Sequence, residues 1–525
     1  RAVSNVVQKI GEIVGQPLFL YRSNFFRHYT NQLALPFPVL RNLTPAQVAR
    51  LQEHPSTPPG VDLEVQPFRH YPYNNTAAHI LGYLSKDNSS AEGEDAFFNF
   101  RLPDYRGRVG IEGALDQHLR GKAGMKSVLV NSLGYRQSET VWNPAEPGKN
   151  VVLTIDRAIQ ESAEKALRTA PAPYRGPVRG AVVVMDPHTG NILAMASSPS
   201  FDPNSYIRGM SYEEYAKLED ENLRPQVNRA TRVAYPPGSI FKIVVSLACL
   251  DAGLDPLQPF YCPQVIWVGR RAIKDPQGNP NGDYDFRHAF MKSSNSYFIT
   301  NGIVYGPQGI IRLGEQFHFG ERTPFEVAYD VGGSFPRMKD LLKGWSDGDT
   351  ANIAIGQGPI DLTLLQVAVM VSAVANGGKV LYPRLVERIV AQDPVSGEPP
   401  IFMPGAKVRD QIRVQPHSLE VVREAMLADV EDPEGTGKKS FVPGLRVCGK
   451  TGTAQLGESG KPGADHITWF ASFAPYENPR YVVVVMIESG ASGGGTCAPV
   501  AGAVYRTIHD LESAAQSRAP LVAEK

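Results

Sequence analysis

The chain is 525 residues long, 42% hydrophobic and 20% charged, an ordinary globular balance that can bury a sizeable core. Its 53 basic and 53 acidic side chains cancel, which leaves no electrostatic footprint for nucleic acid. The four cysteines, Cys249, Cys262, Cys448 and Cys497, lack C-x-x-C spacing and small-scaffold density. That argues against a disulfide framework or zinc knuckle and for four small buried apolar residues. No stretch reaches the length of a transmembrane helix. The chain begins at Arg1 and not at Met, so a preceding anchor or signal is left open.

Residues 1–150 read as mixed scaffold. Proline-rich patches, LPFPVL at 35–40 and HPSTPPG at 54–60, alternate with short amphipathic pieces. Val61–Tyr73 alternates in the manner of an edge strand, and Ala77–Leu84 predicts a short helix. Asp87–Asp104 is polar and glycine-containing, a loop. Within Gly107–Gly124, Ile111, Leu115 and Leu119 recur at helical spacing, and Gly121 closes the helix. Met125–Tyr135 reads as a strand ending in a turn. None of this carries catalytic spacing.

A boundary falls near Pro144–Gly148. Beyond it Val151–Ile155 predicts a strand, and Asp156 suits the N-cap of a helix with Ile159, Ala163 and Leu167 on one face. Gly180–Met185 and Asn191–Ala196 predict a hairpin around DPHTG. Residues 254–287 and 318–350 read as loop-like excursions on either side of a helical stretch at 289–305. Thr363–Ala375 predicts an apolar helix closed by Asn376, Gly377 and Gly378, and Leu419–Val430 predicts another. Leu445–Ala454, His466–Ala474 and Tyr481–Glu488 predict neighbours in an antiparallel sheet, followed by a closing helix at Ala498–Leu511. The fold class is α+β: an N-terminal domain over 1–148, a second domain over 149–517 with an antiparallel sheet, flanking helices and a helical insert, and a tail over 518–525.

One stretch organises the second domain. Tyr235–Leu250 reads YPPGSIFKIVVSLACL. Pro236, Pro237 and Gly238 mark a helix start, and the residues after Ser239 are apolar nearly all round, as in a helix buried on every side. Lys242 interrupts that run. A buried lysine is costly unless paired or used, and Ser239 lies three residues before it on the same face. A hydroxyl beside an amine that burial pushes toward neutrality is the arrangement of an activated serine nucleophile. The pattern S-x-x-K alone carries little weight, because Ser162 and Lys165 repeat it on an exposed amphipathic helix.

Its company is more specific. Ser293-Ser294-Asn295 is an S-x-N, and Lys450-Thr451-Gly452 is the only K-T-G in the chain. Each alone is a common polar turn or strand fragment. The ordered triple S-x-x-K, S-x-N, K-T-G is the signature of penicillin-binding proteins and serine β-lactamases. A rival overlaps it: Gly444–Thr451 (GLRVCGKT) fits the P-loop pattern. A P-loop must be a glycine-rich turn opening a helix, whereas Leu445–Cys448 reads as strand and GTAQLGESGKPG cannot start a helix. An NTPase stays as the remote alternative. The tract Ser489–Gly495 (SGASGGG) reads as a flexible turn before the last helix, or as a border of the site. His188, His288 and His466 lack metal-ligand spacing.

With these residues the chain resembles a class B penicillin-binding protein, a monofunctional D,D-transpeptidase of bacterial cell-wall synthesis. The likeness runs from about residue 60 onward and includes FRHYPY with HILGYLS, GRVGIEGALDQHLRGKAG, LTIDRAIQESAEKAL, AVVVMDPHTGNILAMASSPSFDPN and IGQGPIDLTLLQVA. YPPGSIFK points to the penicillin-binding protein 2 branch of the elongation machinery. The resemblance implies a penicillin-binding/β-lactamase-like transpeptidase domain on an elongated pedestal, an inner-membrane anchor, and a periplasmic catalytic domain. Its implied partners are peptidoglycan stem peptides, β-lactams, a SEDS-type membrane glycosyltransferase and elongation scaffold proteins. It implies no cofactor. Some members of that branch hold a zinc ion; the corresponding interval here offers Cys262 and Asp275 without a convincing complement, so no metal is expected.

The resemblance also implies roles. Ser239 attacks the D-alanyl-D-alanine carbonyl, Lys242 is the base, Ser293 relays a proton to the departing amine, and Asn295 holds the substrate amide. Lys450 supplies positive potential, the Thr451 and Thr453 hydroxyls grip the terminal carboxylate with Gly452 between them in the substrate-binding stretch, and the backbone amides of Ser239 and Thr453 form the oxyanion hole. A D,D-carboxypeptidase and a β-lactam sensor share these residues. A β-lactamase does too, although the long N-terminal region argues against it.

Overall fold

The computed structural model describes residues 2–31, 36–58, 60–64, 68–87, 104–131, 136–171, 176–276, 279–327, 330–455 and 466–518. The chain forms two compact units, one of residues 1–70, 85–106 and 120–148, the other of 71–84, 107–119 and 149–525. In the first, helix Ala2–Val14 buries Ile10, Ile13 and Val14 with Leu51 of helix Pro45–Glu53. Thr44 and Gln47 close a capping box at the start of the second helix. Strand Met125–Val130 pairs with Arg136–Asn143; the turn expected at its end falls largely outside the described residues, as does most of the 87–104 loop. No helix among the described residues is long and apolar enough to cross a membrane.

The second unit is built on a five-stranded antiparallel sheet in the order Cys448–Gln455, His466–Ala474, Tyr481–Glu488, Gly180–Met185, Ile192–Ser198. The three expected neighbours thus pair as anticipated, and the hairpin completes the sheet. Antiparallel sheets commonly leave one face wet, but this one is covered on both. Val182, Val184, Val483, Val485 and Ile487 pack with helices Arg157–Arg168 and Ala498–Arg518. Ala181, Val183, Met185, Val482, Val484 and Met486 pack into a larger core with helices Lys242–Asp251 and Leu364–Ala375. The two-residue period of a strand divides these side chains between the two layers, and it explains why VVVVMIE is apolar without alternation.

Several expectations change. Val61–Tyr73 forms no strand among its described residues; Tyr71 instead exchanges both backbone groups with Asn204, its N–H to Oδ1 and its carbonyl to Nδ2, each at 2.9 Å. The helical spacing in 107–124 resolves into two short helices, Gly110–Ala114 and Asp116–Leu119. Residues 254–287 are not simply loop: Phe260–Cys262 pairs with Gly282–Tyr284, and Val265–Val268 with Arg271–Lys274. Their turn residues dominate the composition and hide strands this short. Met338–Lys343 and Asp347–Ala354 are likewise helical within 318–350. The stretch 289–305 is two helices, Phe286–Met291 and Asn295–Tyr305, with a break between them. Asp156 caps its helix as expected, accepting from the Ile159 amide at 3.0 Å.

His79 sits in one of the N-terminal stretches that belong to the second unit. Its Nε2 lies 2.7 Å from the Pro225 carbonyl, and its ring meets Phe201 edge-on. Burial, aided by Arg229 and opposed by the Pro225 contact, lowers its pKa from the ordinary 6.5 to about 4. The unfolded chain therefore binds the proton first, and this contribution to stability, complete above pH 6.5, drains away as pH falls through 4. Because the ring keeps a partly exposed edge, about 3 kcal/mol is the upper limit of the effect. Urea unfolding at pH 7 and pH 4.5 is expected to show a smaller acid loss in His79→Gln, which keeps a donor for the carbonyl; equal losses in both proteins would refute this.

Candidate active site

The Pro-Pro-Gly start does not lead straight into an α-helix. Gly238–Phe241 forms a 3₁₀ turn, and the α-helix begins at Lys242. In a 3₁₀ turn residues three apart eclipse, so the tighter winding places Ser239 and Lys242 over one another. Close backbone packing holds the turn. The Gly238 amide donates to the Gly356 carbonyl at 2.9 Å. Gly356 has φ +69°, and a Cβ there would lie 2.1 Å from the Gly238 carbonyl oxygen. Trp469 Nε1 donates to the Pro236 carbonyl at 3.0 Å. Just upstream, Tyr235 donates to Glu488 Oε1 at 2.6 Å, and the fully buried Arg229 donates to the same oxygen at 2.8 Å. Burial pushes the Glu488 carboxyl up, but Tyr235 and Arg229 outweigh it and hold the pKa below its ordinary value.

Lys242 is completely buried. Its Nζ donates to the Ser293 carbonyl at 2.7 Å and to Asn295 Oδ1 at 2.8 Å, has the Ser293 hydroxyl 3.3 Å away, and lies 5.3 Å from the centroid of the Phe298 ring. Burial first, then the charge of Lys450, push the Lys242 pKa well below its ordinary value, with Asp275 working against them. The break between the two helices makes these contacts possible. Ser293 adopts φ +56°, and Ser294 caps the second helix by accepting from the Tyr297 amide. That turn aims the Ser293 carbonyl and hydroxyl at the lysine. Asn295 Nδ2 donates to the Lys274 carbonyl at 2.9 Å, which leaves it one further N–H.

The K-T-G stretch lies on Cys448–Gln455, the edge strand of the sheet. Its free edge runs past the Gly238–Phe241 turn: a Cβ on Gly238 would lie 3.0 Å from the Thr453 carbonyl oxygen. Lys450 is buried, with its Nζ 5.3 Å from the Phe290 ring centroid. Burial lowers its pKa and Asp429 opposes the shift. Thr451 is buried, whereas Thr453 is exposed. The glycine tract is no free turn. Gly493 N–H donates to Thr453 Oγ1 at 3.3 Å, and a Cβ at Gly493 would lie 2.4 Å from the Trp469 carbonyl oxygen and 2.6 Å from that of Gly452. Gly493→Ala must displace strand or tract, and we expect its rate of acylation by a fluorescent penicillin to fall about tenfold or more; an unchanged rate would refute the packing argument.

The three motifs therefore meet in one place. A family model described as the penicillin-binding protein transpeptidase domain matches residues 180–507, and one described as the penicillin-binding protein dimerisation domain matches residues 3–153. The chain belongs to the penicillin-binding protein transpeptidase family. The peptidoglycan D,D-transpeptidase MrdA of Haemophilus influenzae is 33% identical over 492 residues, 89% of this chain and 73% of the relative. This penicillin-binding protein is accordingly a class B member of the penicillin-binding protein 2 branch, a serine-type D,D-transpeptidase on an α+β fold. Among solved structures, Helicobacter pylori PBP2 in its complex with MreC matches 98% of this chain and 92% of its own at TM-score 0.76 and 23% identity, a likeness of fold. A ceftriaxone acyl-enzyme of Mycobacterium tuberculosis penicillin-binding protein A matches 83% and 92% at TM-score 0.62 and 26% identity.

The remaining motif matches have structural explanations. Ser162 hydrogen-bonds Thr507 at 2.8 Å while Lys165 is exposed. The would-be P-loop of this penicillin-binding protein runs from a turn at Gly444 into strand Cys448–Gln455, where a P-loop requires a helix. A zinc ion does not fit the Cys262 region. The Cys262 thiol donates to the Phe260 carbonyl and burial raises its pKa to about 11. The Asp275 carboxylate is occupied by the Ser296 amide and Asn279, and no ligand trio gathers among the described residues. His188 bonds the Pro479 carbonyl, and His288 faces Glu434. Motif reading missed Glu488, Arg229, Asp429 and Thr436. None stands in a spacing that signals chemistry, and a carboxylate closing an apolar strand, as Glu488 does, is the only local hint.

Proposed function

We propose that this chain forms peptidoglycan cross-links through an acyl-enzyme on Ser239, in cell elongation. Ser239 Oγ attacks the carbonyl of the penultimate D-alanine and its proton passes to Lys242 Nζ. The oxyanion sits between the backbone amides of Ser239 and Thr453. Ser293 relays the proton to the amine of the terminal D-alanine, which leaves. An amine of a neighbouring stem peptide then takes the acyl group and restores the Ser239 hydroxyl. Asn295 offers its remaining N–H to the substrate amide. Lys450, Thr451, Gly452 and Thr453 line the end of the substrate that carries the terminal carboxylate. β-Lactams acylate the same serine.

The observation that carries this reading is the setting of Lys242. A neutral amine has two N–H groups, and the two short contacts, to the Ser293 carbonyl and Asn295 Oδ1, occupy both. The lone pair is left to face a hydroxyl, with that of Ser293 3.3 Å away, and burial favours the neutral form. The pedestal over 1–148, a membrane anchor ahead of Arg1, a periplasmic setting, scaffold proteins of the MreC kind and a SEDS-type glycosyltransferase complete the proposal. Membership of the penicillin-binding protein 2 branch supports them.

Turnover of a pentapeptide ending in D-alanyl-D-alanine, in the presence of an acceptor amine, tests the reaction. The expected product is the acceptor-linked peptide with release of one D-alanine. Hydrolysis alone would make the protein a carboxypeptidase, and no release of D-alanine would make it a sensor.

A further inference from the structure

Asp429 stands behind the K-T-G strand on helix Pro416–Glu431 and is fully buried. Its Oδ1 accepts from the Thr436 hydroxyl at 2.6 Å and from the Thr436 amide at 3.1 Å. The Thr436 hydroxyl lies 2.6 Å from that of Thr451. Asp429 Oδ2 and Lys450 Nζ are both buried without a hydrogen-bond partner among the described residues. A buried carboxylate with one unpartnered oxygen and an unpartnered buried cation in one cluster are made tolerable by each other's field.

Counting protons orders this chain. An ionised carboxylate only accepts, so the Thr436 hydroxyl gives its single proton to Asp429. Its contact with Thr451 is then a hydrogen bond only if Thr451 is the donor. The Thr451 proton therefore points inward, and the hydroxyl cannot also donate to a substrate. Thr453 is in the opposite condition: exposed, accepting from the Gly493 amide, with its own proton uncommitted.

We propose that Asp429, acting through Thr436 and by its charge, is a positioning residue that turns the Thr451 proton inward and keeps Lys450 cationic, so that Thr453 and Lys450 alone recognise the substrate carboxylate. This rests on the acyl-enzyme reading above and corrects the expectation that both threonines grip that group. The other charges near Lys450 agree with it. Lys242, on the nucleophile helix, repels Lys450, and the Phe290 helix presents only a ring face at 5.3 Å. On that helix and just after it, His288 and Lys292 are drawn to Glu434, at 3.8 and 3.3 Å. Burial raises the Asp429 pKa, while Lys450, Thr436 and the Thr451 amide pull it back.

The test compares acylation by an acyl-D-alanyl thioglycolate, which carries a free carboxylate, with that by its methyl ester, across pH. In the parent protein the preference for the carboxylate is lost on the alkaline side as Lys450 deprotonates. In Asp429→Asn that loss is expected about one pH unit lower or more, with the methyl ester affected less. Thr453→Val is expected to cut the preference about tenfold or more, whereas Thr451→Val changes it by less than about threefold, whatever happens to the two rates together. An unshifted alkaline limb in Asp429→Asn, or a Thr451→Val that loses the preference as fully as Thr453→Val, overturns the proposal. Should Asp429→Asn fail to fold, the threonine pair decides. If neither thioester acylates the parent protein, the acyl-enzyme reading itself has failed.

Discussion

Ser239→Ala is expected to lose all covalent labelling by a fluorescent penicillin and to lower pentapeptide turnover by about 10⁴-fold or more. Among the described residues, the neighbouring hydroxyls of Ser293 and Thr453 are engaged elsewhere. Ser293 is turned toward Lys242 by its left-handed backbone and is buried, and Thr453 sits beside the glycine tract, holding the Gly493 amide. The fold does not depend on the Ser239 hydroxyl, which is partly exposed. The 3₁₀ turn is held by the Gly238 and Pro236 backbone contacts, which the substitution keeps. Thermal stability should therefore stay within about 0.5 kcal/mol of the parent. Labelling that survives in the variant would sink the assignment of the nucleophile, and loss of labelling with loss of folding would leave the assignment to a Ser239→Cys variant and a thiol-specific probe.

Lys242→Met is expected to cost about 10³-fold in the second-order rate of acylation, within the range general bases contribute. Two losses combine. The proton of Ser239 has no acceptor, and the Ser293 carbonyl and Asn295 Oδ1 lose their donor. The pH profile separates the base from a merely structural lysine. Acylation should rise with pH as Lys242 gives up its proton, and burial and Lys450 place that limb well below the ordinary lysine range. Asp275 opposes the shift, since a nearby anion favours the charged amine. Removing that charge in Asp275→Asn, which can still accept from the Ser296 amide, should move the acid limb to lower pH. A limb that stays in place or moves upward would show that a different group controls the rate.

Much of the site is legible in the order of the residues. Three short motifs in a set order, one on a buried apolar helix and one on a strand, point to Ser239, Lys242, Ser293, Asn295 and Lys450. The same local reading rejects the second S-x-x-K, because Lys165 falls on an exposed helical face, and the P-loop match, because the residues from Cys448 onward continue as strand and open no helix. Elements with long periodic patterns are legible too, including the three C-terminal strands and the Thr363–Ala375 helix. The failures share a cause. Residues 254–287 fold as strands of three or four residues, too short to show a period, and 289–305 reads as one helix because its apolar residues continue across the break.

Local residue patterns set the layers and the chemistry. The strand period of two divides the central valines between two cores, and the apolar run after Ser239 forces Lys242 into a fully buried site. What that buried lysine meets depends on packing between distant segments. The Ser293 turn against Lys242, the Glu488–Arg229–Tyr235 cluster behind the Gly238–Phe241 turn and the glycine tract against the K-T-G strand join residues far apart in sequence, and the Asp429–Thr436–Thr451 chain joins a helix, a turn and a strand. No local propensity encodes them. Each exists because a buried polar group must find a partner, and only the packed fold settles which one is within reach.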